Sequence, residues 1–161
     1  MKTIPLTRGH GALVDDEDYD RIASVKWYAS VQSNVTYANR DTCESGKRVT
    51  VSMHRFIMQP PKGMRVDHIN GDGLDNRKAN LRICTPGENL RNQRRAKGRS
   101  AFKGVSFHAH NKKWRAQICV DGRRMCLGYF PDERSAAMKY DAAALIHFGE
   151  FACTNAALGL L

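Results

Sequence analysis

At 161 residues the chain has room for one ordinary domain or two small ones. Lys and Arg outnumber Asp and Glu by 26 to 16, a formal net charge of +10 that suits a polyanionic partner, nucleic acid ahead of an anionic membrane surface. No apolar run approaches the roughly 20 residues of a spanning helix, and no basic amphipathic helix of convincing length appears, so a membrane role is set aside. The five cysteines, Cys43, Cys84, Cys119, Cys126 and Cys153, are odd in number and lack a C-x-x-C pair, so reduced thiols are expected rather than a zinc site. The opening MKTIPLTRGHG has no apolar core with a cleavage site, and an intracellular protein is expected, in the cytoplasm of a bacterial or phage-infected host.

In chain order, Ala12 to Val14 is apolar and is followed by DDEDYDRIA, whose acidic start suits a helix N-terminus. Trp27 to Val31, Val35 to Ala38 and Arg48 to Val51 are rich in aromatic and β-branched residues between polar turns, which predicts a small sheet. SMHRFIM, residues 52 to 58, fits a helical turn against it; His54 within it has two readings, a hydrogen-bonded structural histidine and a catalytic one. Pro60, Pro61 and Gly63 break the pattern before Val66.

The stretch VDHINGDGLDNRKANLRICTPGENLRN reads as strand, long polar loop, strand, helix. Asp67-His68 ends the first strand, Asn80 to Cys84 returns as the second, and Thr85-Pro86 has N-cap and N1 chemistry. Asn70, Gly71, Asp72 and Asn76 suit turns better than ligation. This layout can gather Asp67, His68 and Asn89 although they are distant in sequence. Phosphodiester hydrolysis needs an activated water, positive charge at the phosphate and stabilisation of the departing 3′ oxygen. His68, an imidazole near neutrality, can take a proton from water, and Asp67 with the side-chain carbonyl of Asn89 offers hard oxygen donors for Mg or Mn.

Residues 91 to 100, RNQRRAKGRS, form an exposed basic linker or a solvated helix end; in either form Arg91, Arg94, Arg95, Lys97 and Arg99 attract phosphates. Beyond it FKGVSFH, WRAQICV and RRMCLGYF are strand-like, the last two joined by the hairpin dipeptide Asp121-Gly122. After Pro131, Ala136, Ala137, Tyr140, Ala143, Ala144 and Phe148 recur at helical spacing until Gly149. Period two places Val105, Phe107, Trp114, Ala116, Ile118 and Val120 on an inner face, and Ser106, His108, Arg115, Gln117, Cys119, Arg124 and Cys126 on an open one.

The DHINGDG, ANLR and GENLRN segments together resemble the HNH endonucleases of the ββα-metal class, especially the phage and intron-encoded homing type. The resemblance implies that Asp67 and Asn89 bind one divalent ion, that His68 is the general base, and that Asn80 holds the loop and the histidine in position. The third signature residue is Asn rather than His, a weaker metal donor. FKGVS, KWRAQI and the LGYFPDERSAAMKYDAAALIHFGEFACTN run resemble the plant ethylene-response-factor (APETALA-type) DNA-binding domain over nearly all of 102 to 155. That resemblance implies three antiparallel strands in the DNA major groove with a helix behind them. Arginine on such a face can read guanine and glutamine adenine. Ser106, His108, Cys119 and Cys126 depart from the plant pattern, so phosphate contacts are expected more firmly than a plant target sequence.

The expected protein is α+β: a ββα-metal HNH domain over residues 1 to 93 with its motif core at 66 to 93, a basic linker at 94 to 101, an ethylene-response-factor-like module at 102 to 155, and a tail at 156 to 161. Its expected function is metal-dependent cleavage of double-stranded DNA with one divalent ion and no obligate protein partner. Catalysis falls to His68 and Asn80, metal binding to Asp67 and Asn89, and DNA binding to the five basic residues of the linker region with Lys103, Ser106, His108, Arg115, Gln117 and Arg124. The alternative is a catalytically inactive DNA-binding regulator. RNA binding rests on charge alone.

Overall fold

Apolar residues at alternate positions bury Ala12 and Val14 on one side of strand β2 (Gly11–Val14), which pairs antiparallel with β1 (Lys2–Pro5) in the computed structural model. The structure describes residues 1–32, 35–92 and 100–161. β1 is absent from the sequence reading because only Ile4 of its four residues is buried, which leaves no alternation to detect. The acidic stretch does start a helix, α1 (Asp16–Ala23), with Asp16, Glu17 and Asp18 in its first turn and Ile22 fully buried. Asp15 does not cap α1 with its side chain; its carboxylate accepts instead from the backbone N–H of Lys78, 2.8 Å away.

Strands β3 (Tyr28–Gln32), β4 (Val35–Glu44) and β5 (Lys47–Ser52) form an antiparallel sheet in that order. β4 runs six residues beyond the expected Ala38 and returns through Ser45 and Gly46, both left-handed at φ 50° and 75°. Polar residues dominate that extension, so hairpin pairing rather than an apolar pattern defines it. Helix α2 (Met53–Met58) follows at once and sends Met53 and Ile57, one turn apart, into a core with Ile4, Val14, Ile22 and Trp27. The Trp27 indole satisfies its N–H on the carbonyl of Ile22 at 2.9 Å. β6 (Arg65–His68) pairs with β7 (Leu81–Cys84), and helix α3 (Pro86–Arg91) comes next.

The chain forms two compact units, Met1–Pro86 and Gly87–Leu161. In the second, β8 (Val105–His108), β9 (Lys113–Val120) and β10 (Arg123–Phe130) make an antiparallel sheet in the order β10-β9-β8, packed on helix α4 (Glu133–Phe148). Asp121 and Gly122 turn the β9-β10 hairpin with φ 48° and 78°, the pair of left-handed residues a type I′ turn demands. All six helix residues selected by spacing are buried, and Asp141 joins them because its carboxylate accepts from Asn155 and Ala156 backbone N–H groups at 2.7 and 2.9 Å. Asn155, fully buried, also accepts from the Lys103 N–H at 2.6 Å and donates to its carbonyl at 3.1 Å, tying the chain end to the approach to β8. Val105 points inward as expected, but Phe107 is 51% exposed: it stands beyond the cluster of Val105, Ala116, Ala136 and Ala137 and packs edge-on to Trp114 instead.

Candidate active site

Asp67 and His68 occupy the last two positions of β6, opposite Arg82 and Leu81 of β7, and both are buried. A buried carboxylate needs compensation. Arg82 supplies it: Nε and Nη2 of its guanidinium donate to Asp67 Oδ2 at 2.9 and 2.8 Å, across the strand pair.

The polar loop from Ile69 to Lys78 is held at several points. Asn80 Oδ1 accepts from the Asn70 N–H at 3.0 Å, its Nδ2 donates to the Asp75 carbonyl at 2.8 Å, and its own carbonyl accepts from the Ile69 N–H at 2.9 Å. One residue thus closes the loop on itself. Asp75 accepts from both Arg77 donors at 2.7 Å and from Asn70 Nδ2 at 2.9 Å, and Arg77 holds the Asp75 carboxyl below the usual carboxylate range. Leu13 and Asn76 add backbone bonds of 2.8 Å that sew the loop to β2. Gly73 allows the loop to meet β4: a Cβ there would lie 2.5 Å from the Thr36 carbonyl and 2.7 Å from the Tyr37 ring.

Asn76 determines which way His68 is protonated. Its amide nitrogen donates to the carbonyls of Leu74 and Gly73 at 3.2 and 3.5 Å, so its Oδ1 faces His68 Nε2 at 3.4 Å and can only accept. His68 therefore carries its proton on Nε2 and its lone pair on Nδ1. Burial is the largest influence on His68 and pushes its pKa below the ordinary histidine value; the Asn76 bond and the charges of Asp67, Asp72 and Asp75 oppose it. The imidazole is neutral at physiological pH, as a proton acceptor must be.

Two aromatic side chains complete the surroundings. His54, delivered by the first turn of α2, lies edge-to-face with His68, ring centroids 5.0 Å apart at 81°. Tyr37 of β4 lies 5.8 Å from His54 and 5.9 Å from His68. Burial, then the Asp67 charge, raises the Tyr37 pKa and keeps the phenol neutral.

Asn89 sits on α3, within the second unit. Arg91, at the end of the same helix, pairs with Asp121 at 3.1 Å and lies 4.9 Å from the Phe148 ring centroid; Lys103 donates to the Arg91 carbonyl at 2.6 Å, and burial lowers its pKa. Arg94, Arg95, Lys97 and Arg99 lie outside the described residues. On the sheet, Ser106, Arg115 and Tyr129 are aligned across three strands. Arg115 Nη2 reaches Ser106 Oγ at 3.5 Å, while its buried Nε has no partner among the described residues. His108 packs against Tyr129 at 5.0 Å, Gln117 is paired with Cys126, and Arg124 with Cys119. A register shift between Cys126 and Gly128 puts Tyr129 opposite Arg115.

Residues 59–91 match the HNH endonuclease family model, a span that includes β6, the loop, β7 and α3. The chain thus contains an HNH endonuclease domain, together with a region similar to the AP2/ERF DNA-binding domains of plant proteins. An uncharacterised HNH endonuclease of Acanthamoeba polyphaga mimivirus is 29% identical over 159 residues, covering 93% of this chain and 78% of that protein. Protein 3.8 of Escherichia phage T7 is 35% identical over 65 residues, 40% of this chain and 54% of its own length. An AP2/ERF and B3 domain-containing protein of Oryza sativa subsp. japonica is 48% identical over 56 residues, 35% of this chain but 15% of that protein.

Asn76, Arg82 and Tyr37 enter the site's surroundings without having been selected from sequence, and His54, for which the sequence left a catalytic and a structural reading open, joins them. Arg82 stands beside Asn80 in the ANLR segment, and cross-strand register with Asp67 is the signal that could have found it. Asn76 resembled an ordinary turn residue, and only its burial distinguishes it.

Proposed function

We propose that this chain is a metal-dependent endonuclease that hydrolyses phosphodiester bonds of double-stranded DNA, with the C-terminal module over residues 102 to 155 holding it on its target in the manner of a homing-type enzyme. The observation that carries this reading is the buried Asp67-His68 pair, with His68 Nε2 facing Asn76 Oδ1, inside the segment that matches the HNH model. Asp67 and Asn89 would hold the ion; a carboxylate and an amide carbonyl are the hard oxygen donors that Mg or Mn takes, and water and phosphate oxygens complete such a shell. When bound, the ion supplies Lewis acidity to the phosphate and to the departing 3′ oxygen.

His68 Nδ1 removes the proton from the attacking water. The imidazolium that forms remains bonded to Asn76 through Nε2–H, and the charges of Asp67, Asp72 and Asp75 favour it. Asn80 acts at one remove by closing the loop that carries Asn76. Ser106, His108, Arg115, Gln117 and Arg124 face DNA from the sheet, and the linker arginines and lysine add phosphate contacts.

Purified protein incubated with plasmid and Mg or Mn tests the proposal. Cleavage that His68→Ala abolishes while DNA binding persists supports it; intact plasmid under every divalent ion tried sinks it. The inactive-regulator reading draws on one observation, the Arg82 guanidinium that neutralises Asp67 and competes with a cation for the same carboxylate. Binding without cleavage would select that reading, and preference for RNA over duplex DNA in competition would overturn the substrate assignment.

A further inference from the structure

The nuclease reading uses one of two adjacent imidazoles. The other, His54, is presented by α2 beside His68 with ring centroids 5.0 Å apart, and no protein group among the described residues makes a hydrogen bond to either of its nitrogens. Nδ1 is the buried one of the pair. Leaving a buried polar atom unpaired is costly, so a histidine kept this way calls for an explanation that packing does not provide. An apolar ring would fill the same space without that cost.

The tautomer follows from the surroundings. Burial, with His68 and Arg55 adding to it, pushes the His54 pKa down to about 3, so the ring is neutral and carries one N–H and one lone pair. Orphaned buried N–H groups are rarer in proteins than under-satisfied acceptors, and Nδ1 is the nitrogen shut away from solvent. The proton therefore belongs on Nε2. His54 then offers a neutral N–H donor, unused by the protein, beside the histidine assigned to activate water.

We propose that His54 is a second catalytic imidazole whose Nε2–H donates to a non-bridging oxygen of the phosphate under attack, stabilising the negative charge that grows there. This rests on the nuclease reading for its consequence but on DNA binding alone for its contact. A neutral donor fits this role because it binds an anionic oxygen without adding a second positive charge next to His68 as that ring becomes an imidazolium.

The contact is read by nitrogen-15 NMR of the histidine side chains in the full chain with EDTA present, titrated with a short mixed-sequence DNA duplex. The His54 Nε2 resonance is expected to move and to saturate with DNA binding. Cleavage with Mn then compares two variants: His54→Phe keeps a ring and lacks the donor, whereas His54→Gln places an amide N–H at about the reach of Nε2. At saturating duplex His54→Phe is expected to cut about a hundredfold more slowly, the loss typical of one removed donor, and His54→Gln to recover most of that. A His54 resonance that stays still while duplex binds, as it would if an interior water held the ring, overturns the proposal, as does undiminished cleavage by His54→Phe. A moving resonance in a wild-type protein that cuts no DNA leaves the phosphate contact standing and removes the nuclease reading instead.

Discussion

At the scale of single residues, the site depends on groups that hold other groups. Asn76 is expected to matter nearly as much as His68, because its side-chain oxygen faces His68 Nε2 and favours the Nε2–H tautomer. Asn76→Ala removes the Oδ1 that faces that N–H; cleavage should fall by at least tenfold and urea unfolding should show a loss of about 1–3 kcal/mol. The two histidines also make a pH prediction. Their folded pKa values lie below the ordinary 6.5, so the unfolded chain binds protons that the folded chain refuses. The stability they contribute is complete above about pH 6.5 and is lost as pH falls toward about 3. Thermal midpoints recorded across that window should decline, and His54→Phe should flatten the decline; a parallel curve for the variant would assign the acid sensitivity to other groups.

At the scale of elements, β6 and β7 are joined by a charge pair as well as by their ladder. Arg82→Ala removes the guanidinium that faces the buried Asp67 carboxylate and should cost about 3–5 kcal/mol, measurable by denaturant unfolding, with the loss reduced when Asp67→Asn is added. In the second unit, Gly104 has φ 75° and a Cβ there would lie 1.9 Å from the Tyr140 ring. Gly104→Ala is therefore expected to destabilise by about 1–3 kcal/mol or more, since Tyr140 of α4 is buried among Ile118, Ala144 and Phe148 and has nowhere to withdraw. A midpoint unchanged within error would mean that the FKGV turn tolerates a side chain.

For the whole molecule, the net charge of +10 and the arginine-bearing sheet predict binding that weakens steeply with salt. In gel-shift or anisotropy titrations, Arg115→Ala and Arg124→Ala should each reduce the salt slope by about one if they meet phosphate, and should relax sequence preference if they meet bases. An unchanged slope and unchanged preference would place the DNA elsewhere. Removing residues 102–161 takes away Lys103, Asp121 and Phe148, the partners of Arg91 on α3. Besides affinity, that truncation should cost order in α3, seen as faster amide exchange.

Much of this protein is determined by local pattern. The α4 spacing, the Asp121-Gly122 hairpin and the β6-loop-β7-helix layout are legible because one residue type or one period specifies each of them. Of the candidate site, a motif names Asp67, His68, Asn80 and Asn89 as candidates, and the first three lie on β6 and on the loop and turn that lead into β7. What tertiary structure decided is who surrounds them. His54 and Tyr37 reach His68 from α2 and β4, elements far away in the chain, and Asn76 becomes an orienting group only because the loop is bonded to β2 and buried. Neither period nor composition carries that information, since a buried asparagine and a solvated turn asparagine look alike until the packing that distinguishes them has formed.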